Sequence, residues 1–140
     1  REDLTKIEEV VPQSTYLGRG EHILVVDDVE GQRLLASAML EGLGYKVSSV
    51  ASGEEAVKFV KKQPVDLLIL DMIMDPGMDG LDTYRSILDI RPQQKAIIVS
   101  GFAITERVRK TQELGAGSYV RKPYILEKLG LAVRKELDRK

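Results

Sequence analysis

The sequence predicts an α/β fold in which five parallel strands form one sheet with helices on both of its faces. Five short apolar runs are separated by segments with helical periodicity, and the connections between them are short. Strands that alternate with helices in this way pair in parallel, because each helix returns the chain to the starting edge of the sheet. The run that ends at Leu70 is also continuously apolar, which is typical of a strand buried on both faces.

The first half of the chain supplies two strands and two helices. The first strand is predicted at His22–Val26, and a helix follows at Glu30–Gly42 before the second strand at Tyr45–Val50. Four apolar residues share one face of that helix and are expected in the core: Leu34, Leu35, Ala38 and Met39. Ser52–Glu55 has the pattern of a capping box, in which the Ser hydroxyl and the Glu carboxylate accept each other's backbone N–H groups, and Pro64 ends the second helix.

The second half continues the alternation. Strands are predicted at Val65–Leu70, at Lys95–Val99 and around Tyr119. The helix between the first two of these strands has an apolar stripe made of Leu81, Tyr84, Ile87 and Leu88. A helix at Thr105–Leu114 has only a thin apolar stripe, and the last helix has a longer one, formed by Leu126, Leu129, Val133 and Leu137. These five units predict a flavodoxin-like three-layer sandwich with strand order 2-1-3-4-5.

Polar residues follow four of the five predicted strands. Asp27 and Asp28 follow the first strand, Asp71 the third, Ser100 the fourth and Lys122 the fifth. In open α/β sheets the carboxyl ends of the strands form the ligand-binding edge, where these side chains would meet. Three carboxylates repel each other unless a cation offsets their charge, and Mg²⁺ prefers such oxygen ligands. The sequence therefore predicts a metal site for Mg²⁺, or for Mn²⁺ as an alternative, beside a carboxylate able to attack phosphorus.

Each of these residues also has a simpler interpretation. Asp27 or Asp28 alone would serve as a helix N-cap, and Asp71 alone as a turn residue. A Ser before Gly, such as Ser100, is common in turns, and a single lysine such as Lys122 is usually solvated. The metal site is favoured because the simpler interpretations do not explain why acids follow two strands that are neighbours in the proposed order.

Composition limits the remaining possibilities. The 140 residues fit one domain, with residues 1–20 interpreted as a linker or the end of an upstream domain and residues 21–140 as the domain itself. A formal net charge of −1 predicts no contact with nucleic acid or an anionic membrane. The chain has no cysteine, no signal-peptide pattern and no apolar run of bilayer length, so we expect a cytoplasmic location.

In order and spacing, four motifs resemble the receiver domain of two-component response regulators: Asp27-Asp28, Asp71, Ser100-Gly101 and Lys122-Pro123. The resemblance covers about residues 21–140. It implies that Asp71 accepts a phosphoryl group, with Mg²⁺ held directly by Asp28 and Asp71, mainly through water by Asp27, and by the backbone carbonyl of Ile73. It further implies that Lys122 bridges to the phosphoryl oxygens and that its peptide bond to Pro123 is cis.

The resemblance also implies a switch, partners and a context. Ser100 would turn toward the phosphoryl group, Tyr119 would rotate inward behind it, and the surface of the fourth helix, fifth strand and fifth helix would change. The implied partner is a histidine kinase or histidine phosphotransfer domain, with a homodimer through the changing surface as a further expectation. The start of the chain resembles the junction after a kinase ATP-binding domain, which favours the C-terminal receiver of a hybrid histidine kinase over a separate regulator. A phospho-acceptor switch of this kind is not an enzyme beyond catalysing its own phosphorylation and dephosphorylation.

One loop departs from the family pattern, and two other functions remain open. Receiver domains commonly place Pro four and Gly eight residues after the acceptor, whereas Pro76 and Gly80 lie five and nine residues after Asp71, so the loop is one residue longer, at Asp75. A phosphatase of the haloacid dehalogenase type would need a second Asp at the position of Ile73. A flavodoxin-like FMN-binding module would need a hydroxyl- or glycine-rich loop after the first strand.

Overall fold

Five parallel strands form the single sheet of this computed structural model, which describes residues 11–74, 77–101 and 105–140. The strands are β1 (His22–Val26), β2 (Lys46–Val50), β3 (Leu67–Asp71), β4 (Ala96–Ser100) and β5 (Tyr119–Arg121). Their order is β2-β1-β3-β4-β5, which confirms the flavodoxin-like prediction. In the β1–β3 register Val26 pairs with Leu70, so Asp27 and Asp71 follow paired residues at the same edge of the sheet.

Five helices cover the two faces of the sheet and complete the three-layer sandwich. They are α1 (Glu30–Gly42), α2 (Gly53–Lys62), α3 (Gly80–Ile90), α4 (Glu106–Glu113) and α5 (Leu126–Asp138). One apolar cluster joins the sheet to α1 and α5, and it includes Leu40 and Leu129. The other joins the opposite face to α2, α3 and α4, and it includes Val60 and Leu81. All five residues of β3 and all five of β4 are buried, as expected for central parallel strands.

The predicted apolar face of α1 is wrong by part of a turn. Leu34 is 64% exposed and Leu35 is 40% exposed, while the fully buried residues of this helix are Ala36 and Leu40. A small residue at position 36 lets the helix approach the sheet closely, and Leu40 then occupies the same face one turn later. Of the other predicted core residues, Ala38 is exposed and Met39 packs partly buried against the core. The exposed leucines on the outer face therefore shifted the predicted apolar face away from the one that packs on the core.

The predicted capping box at the start of α2 forms in a modified way. The hydroxyl of Ser52 accepts the N–H of Glu55 at 3.1 Å, as predicted. The Glu55 carboxylate accepts the N–H of Ala51 at 3.3 Å, one residue before the N-cap expected as its donor. Two backbone donors at the helix start are satisfied by either arrangement.

Residues 11–20 pack against the domain that follows them. Gln13–Tyr16 form a short 3₁₀ helix, and Tyr16 is only 5% exposed because its ring lies against Gly130 of α5, where a Cβ atom would be 2.2 Å from the ring. The buried guanidinium of Arg134 donates to the carbonyl of Leu17 at 3.2 Å and to Glu21 at 2.7 Å. The domain boundary at residue 20 stays a prediction, and residues 1–10 lie outside the described part of the chain.

We expect Tyr16→Ala to destabilise the domain by about 3 kcal/mol, because it removes a buried aromatic ring and leaves a cavity beside Gly130. The free energy of unfolding is measured by urea denaturation followed by circular dichroism. Leu17→Ala, at a neighbouring side chain that is 41% exposed, is the matched control and should change this free energy by less than about 0.5 kcal/mol. Equal stabilities of Tyr16→Ala and wild type would show that residues 11–20 do not belong to the folding unit.

Candidate functional site

Three carboxylates meet at the carboxyl edge of the sheet. Asp27 and Asp28 follow β1, Asp71 ends β3, and one oxygen from each lies within 4.8 Å of the others. The side chains of Asp27 and Asp71 are only 1% and 7% exposed, whereas Asp28 is half-buried. The strand register causes this convergence, because Asp27 and Asp71 extend directly from paired positions of β1 and β3. Closely spaced carboxylate oxygens of this kind suit a hard divalent cation.

Lys122 completes the cluster from the end of β5. Its ammonium nitrogen lies 2.6 Å from Asp27 Oδ2 and 3.6 Å from Asp71 Oδ2, and its side chain is 15% exposed. The backbone N–H of Lys122 donates to the Ser100 carbonyl at 2.9 Å, which continues the β4–β5 ladder up to the site. The Lys122–Pro123 peptide bond is cis, in agreement with the resemblance. The ammonium group therefore offsets part of the repulsion between two buried acids.

The backbone gives each buried acid a further hydrogen bond. Asp27 Oδ1 accepts the N–H of Val29 at 2.9 Å, and Asp71 Oδ1 accepts the N–H of Ile73 at 3.4 Å. The N-cap of α1 is Val29, which makes no side-chain capping hydrogen bond, so helix capping does not explain the two acids after β1. Because the N–H of Ile73 contacts the Asp71 carboxylate, the backbone at residue 73 lies beside the acidic cluster.

Burial and charge act in opposite directions on Asp71. Burial raises the pKa of its carboxyl, the positive charge of Lys122 lowers it and the negative charge of Asp27 raises it, and the net result is a pKa of about 6. Burial exceeds the effect of the lysine because the carboxylate loses water that a single ammonium group does not replace. Without a bound cation, an appreciable fraction of Asp71 is therefore protonated near pH 6.

Ser100 and Tyr119 lie on adjacent strands beside the cluster. Ser100 is 3% exposed, and in the β3–β4 register it comes one residue after Val99, the partner of Asp71. The hydroxyl of Tyr119, which is half-buried, donates to the Ser100 carbonyl at 3.4 Å. The structure thus brings Ser100 to the edge that the sequence predicted, and Tyr119 reaches the backbone of this serine from the neighbouring strand.

The sequence reasoning missed two residues near the cluster. Arg33, in the first turn of α1, donates to the Asp27 carbonyl at 2.8 Å. Tyr124 is 6% exposed, and its hydroxyl has no hydrogen-bond partner among the described residues. Burial first, and then the negative charges of Asp27 and Asp71, raise the pKa of Tyr124, so its hydroxyl lies under their influence. Its place directly after Lys122-Pro123 was the available signal.

The loop after Asp71 is only partly described. Asp75 and Pro76, where the sequence predicted the extra residue, lie outside the described ranges. On the far side of these residues, the N–H of Met78 donates to the Glu54 carboxylate of α2 at 3.3 Å. Gly77 has φ +99, a conformation that L side chains rarely adopt, and the same carboxylate crowds the space a Cβ atom would need.

Comparison with known proteins decides the family. A family model described as response regulator receiver domain matches residues 23–134. The chain belongs to this family. Receiver domains act in phosphorelay signal transduction within two-component systems, and this is the function of the present domain. The two alternative functions are not favoured. A phosphatase of the haloacid dehalogenase type would need a second acid where this chain has Ile73. An FMN-binding module would need a hydroxyl- or glycine-rich loop after β1, where this chain has two acids.

Among the curated relatives, Sporulation initiation phosphotransferase F of Bacillus subtilis is 33% identical over 120 residues, which are 86% of this chain and 96% of that protein. Sensor kinase CckA of Brucella abortus is 30% identical over 134 residues, which are 94% of this chain and 14% of the kinase. A solved receiver domain protein from Methanospirillum hungatei JF-1, described as CheY-like, has a TM-score of 0.79 with 28% identity, covering 85% of this chain and 94% of that one.

The receiver domain resembles both short relatives and one segment of much longer ones. In the described part of the chain, none of the helices combines the length and the apolar character needed to cross a membrane.

We expect Asp71→Asn to stabilise the domain at pH 8 in the presence of a metal chelator. The folded state raises the pKa of Asp71 from 3.8 to about 6, so the cost of ionising it is absent below pH 3.8, grows as pH rises through this window, and is complete above pH 6. The free energy of unfolding of the variant should therefore exceed that of wild type by up to about 3 kcal/mol at pH 8, and the two should differ little at pH 4.

Urea denaturation at both pH values measures this difference. Asp89→Asn, which neutralises an exposed acid at the end of α3, is the matched control and should leave stability nearly unchanged at either pH. If Asp71→Asn is no more stable than wild type at pH 8, ionisation of Asp71 does not destabilise the fold.

Proposed function

We propose that this receiver domain accepts a phosphoryl group on Asp71. The observation that carries the proposal is the ammonium group of Lys122, held between the buried carboxylates of Asp27 and Asp71. In the reaction, an ionised oxygen of Asp71 attacks phosphorus, the bond from phosphorus to the donor breaks, and an acyl phosphate forms. With phosphohistidine as donor, the leaving group is the histidine ring nitrogen of the partner.

The acidic cluster fits a bound Mg²⁺ ion. Asp28 and Asp71 would ligate it directly, Asp27 would do so mainly through water, and the carbonyl of Ile73 would complete the protein ligands. Three carboxylate oxygens within 4.8 Å support this assignment, because Mg²⁺ binds through a few carboxylates and retains several waters. When bound, the cation neutralises charge on the phosphoryl oxygens. Mn²⁺ suits the same oxygen ligands.

Lys122 and Ser100 would recognise the phosphoryl group once it is attached. A phosphorylated Asp71 carries added negative charge and strong acceptor oxygens, so the ammonium group that now contacts Asp27 would move toward them. The hydroxyl of Ser100 would turn in the same direction, and Tyr119 would occupy the space behind it. The surface formed by α4, β5 and α5 would change as a result.

We further propose a histidine kinase or histidine phosphotransfer domain as the partner, and a hybrid histidine kinase as the parent chain. The alignment with Sensor kinase CckA, which includes 94% of this chain but 14% of the kinase, supports this context. In this proposal residues 1–20 connect to an upstream domain, the location is cytoplasmic, and the domain is a switch with no catalysis beyond its own phosphorylation and dephosphorylation. The surface of α4, β5 and α5 would serve for homodimerisation, without contact to nucleic acid or membrane.

Incubation with acetyl phosphate and Mg²⁺ tests the acceptor directly. We expect intact-mass analysis to show a gain of roughly 80 Da in the wild-type protein, equal to one phosphoryl group. Asp71→Asn should show no gain, whereas the control Asp89→Asn should behave like wild type. A phosphorylated Asp71→Asn protein would place the acceptor elsewhere, and an unmodified wild-type protein would contradict the proposed function.

Lys122→Met separates phosphoryl recognition from metal binding. The variant should be phosphorylated at least about tenfold more slowly, because the attached phosphoryl group loses a charge-assisted contact. Its Mg²⁺ affinity, measured by isothermal titration calorimetry, should stay equal or increase, since a positive charge 3.6 Å from Asp71 has been removed. Arg121→Met, at the exposed preceding residue, is the control for the lost charge. Unchanged phosphorylation of Lys122→Met would exclude the lysine from the reaction.

A further inference from the structure

An ion-pair cluster joins α4 to the start of α3. The guanidinium of Arg107, in the first turn of α4, contacts both carboxylate oxygens of Asp79 at 2.5 and 3.0 Å. It also lies 3.3 Å from Asp82 Oδ1. We call these three residues the Arg107 cluster. Although partial burial opposes it, the hydrogen bonds from Arg107 hold the pKa of Asp79 below its usual value, so the pair is fully charged at neutral pH.

Asp79 links this cluster to the segment that follows Asp71. It is the N-cap of α3 and accepts the N–H of Asp82 at 3.0 Å, so its side chain is fixed from two directions. One turn after Arg107, the buried Thr111 has its hydroxyl 3.8 Å from the sulfur of Met72, the residue next to Asp71. Two successive turns of α4 therefore contact the two ends of the segment 72–79.

Few other buried contacts hold α4 in place. Of its eight residues, only Val108 and Thr111 are buried, so this helix contributes little apolar surface to the core. A bidentate arginine–carboxylate pair has a defined geometry, which an ordinary surface ion pair lacks. The Arg107 cluster is consequently a large part of what fixes the first turn of α4 relative to α3.

We infer that the Arg107 cluster is a latch that holds α4 in its unphosphorylated position and opposes the switch. This inference rests on the proposed function, in which Ser100 is drawn toward the phosphoryl group and the surface formed by α4, β5 and α5 changes. Displacement of the first turn of α4 away from α3 lengthens the contacts between Arg107 and Asp79. Part of the binding energy of the phosphoryl group is therefore needed to break the Arg107 cluster before α4 can move.

The affinity for beryllofluoride, a phosphoryl mimic, measures the latch. Arg107→Gln should bind beryllofluoride with Mg²⁺ about two- to fivefold more tightly than wild type in low salt, because an exposed ion pair of good geometry has this strength. In 1 M NaCl the ratio of the two affinities should fall to about one, since the pair is screened. Arg109→Gln carries the same charge change on the same helix, at an exposed residue without an ion pair to any described residue, and should match wild type.

Hydrogen exchange in α4, measured with and without the mimic, gives a second readout. Amides of α4 should exchange faster in Arg107→Gln than in Arg109→Gln, and addition of beryllofluoride should remove most of this difference. Equal or weaker beryllofluoride binding by Arg107→Gln, together with unchanged exchange in α4, would overturn the latch. Failure of wild type to bind beryllofluoride at all, with Asp71→Asn as the blank, would instead overturn the proposed function.

Discussion

The ammonium group of Lys122 lies between the buried carboxylates of Asp27 and Asp71, and the site depends on this positive charge. Parallel pairing of β1 with β3 aligns Asp27 with Asp71, and the sheet edge leaves both nearly inaccessible to water. Two buried carboxylates at this separation would each favour protonation without a compensating charge. Lys122 reaches them because β5 lies beside β4, so a residue near the end of the chain stabilises the acids that follow its first strand.

Burial of Asp71 affects the stability of the fold and the chemistry of the site in opposite ways. Burial raises the pKa of Asp71 to about 6, which means that ionising the carboxylate costs free energy in the fold without a cation. In the proposed function, the same burial would keep water away from the reacting oxygen of Asp71 and would strengthen the electrostatic contacts that a phosphoryl group makes there. A neutral side chain at position 71 would avoid this cost, so the carboxylate does not serve the stability of the fold.

The sequence predicted the sheet order and the convergence of the acids, because both follow from residues adjacent in the chain and from strand alternation. It failed for α1, where exposed Leu34 and Leu35 have the same local pattern as core residues and only the closeness of the helix to the sheet distinguishes Ala36. The contact of Tyr16 with Gly130 was also out of reach, since two residues more than a hundred positions apart leave no local signal. The Arg107 cluster could not be predicted for a similar reason. A charged residue on a polar helix has the pattern of a solvated residue until the positions of the helices are known.

The weak apolar attachment of α4 has a consequence for how the domain can change shape. Helices that bury many side chains move only if the core is repacked, which costs several kilocalories per mole, whereas α4 buries two residues and otherwise relies on polar contacts. Polar contacts at the surface each contribute about 1 kcal/mol or less, so in the proposed function a modest electrostatic change at Asp71 would suffice to displace the helix. Three features of the domain thus have separate roles. β1 and β3 position the acids, and Lys122 offsets their repulsion. The small buried surface of α4 is what would allow added charge at Asp71 to move this helix.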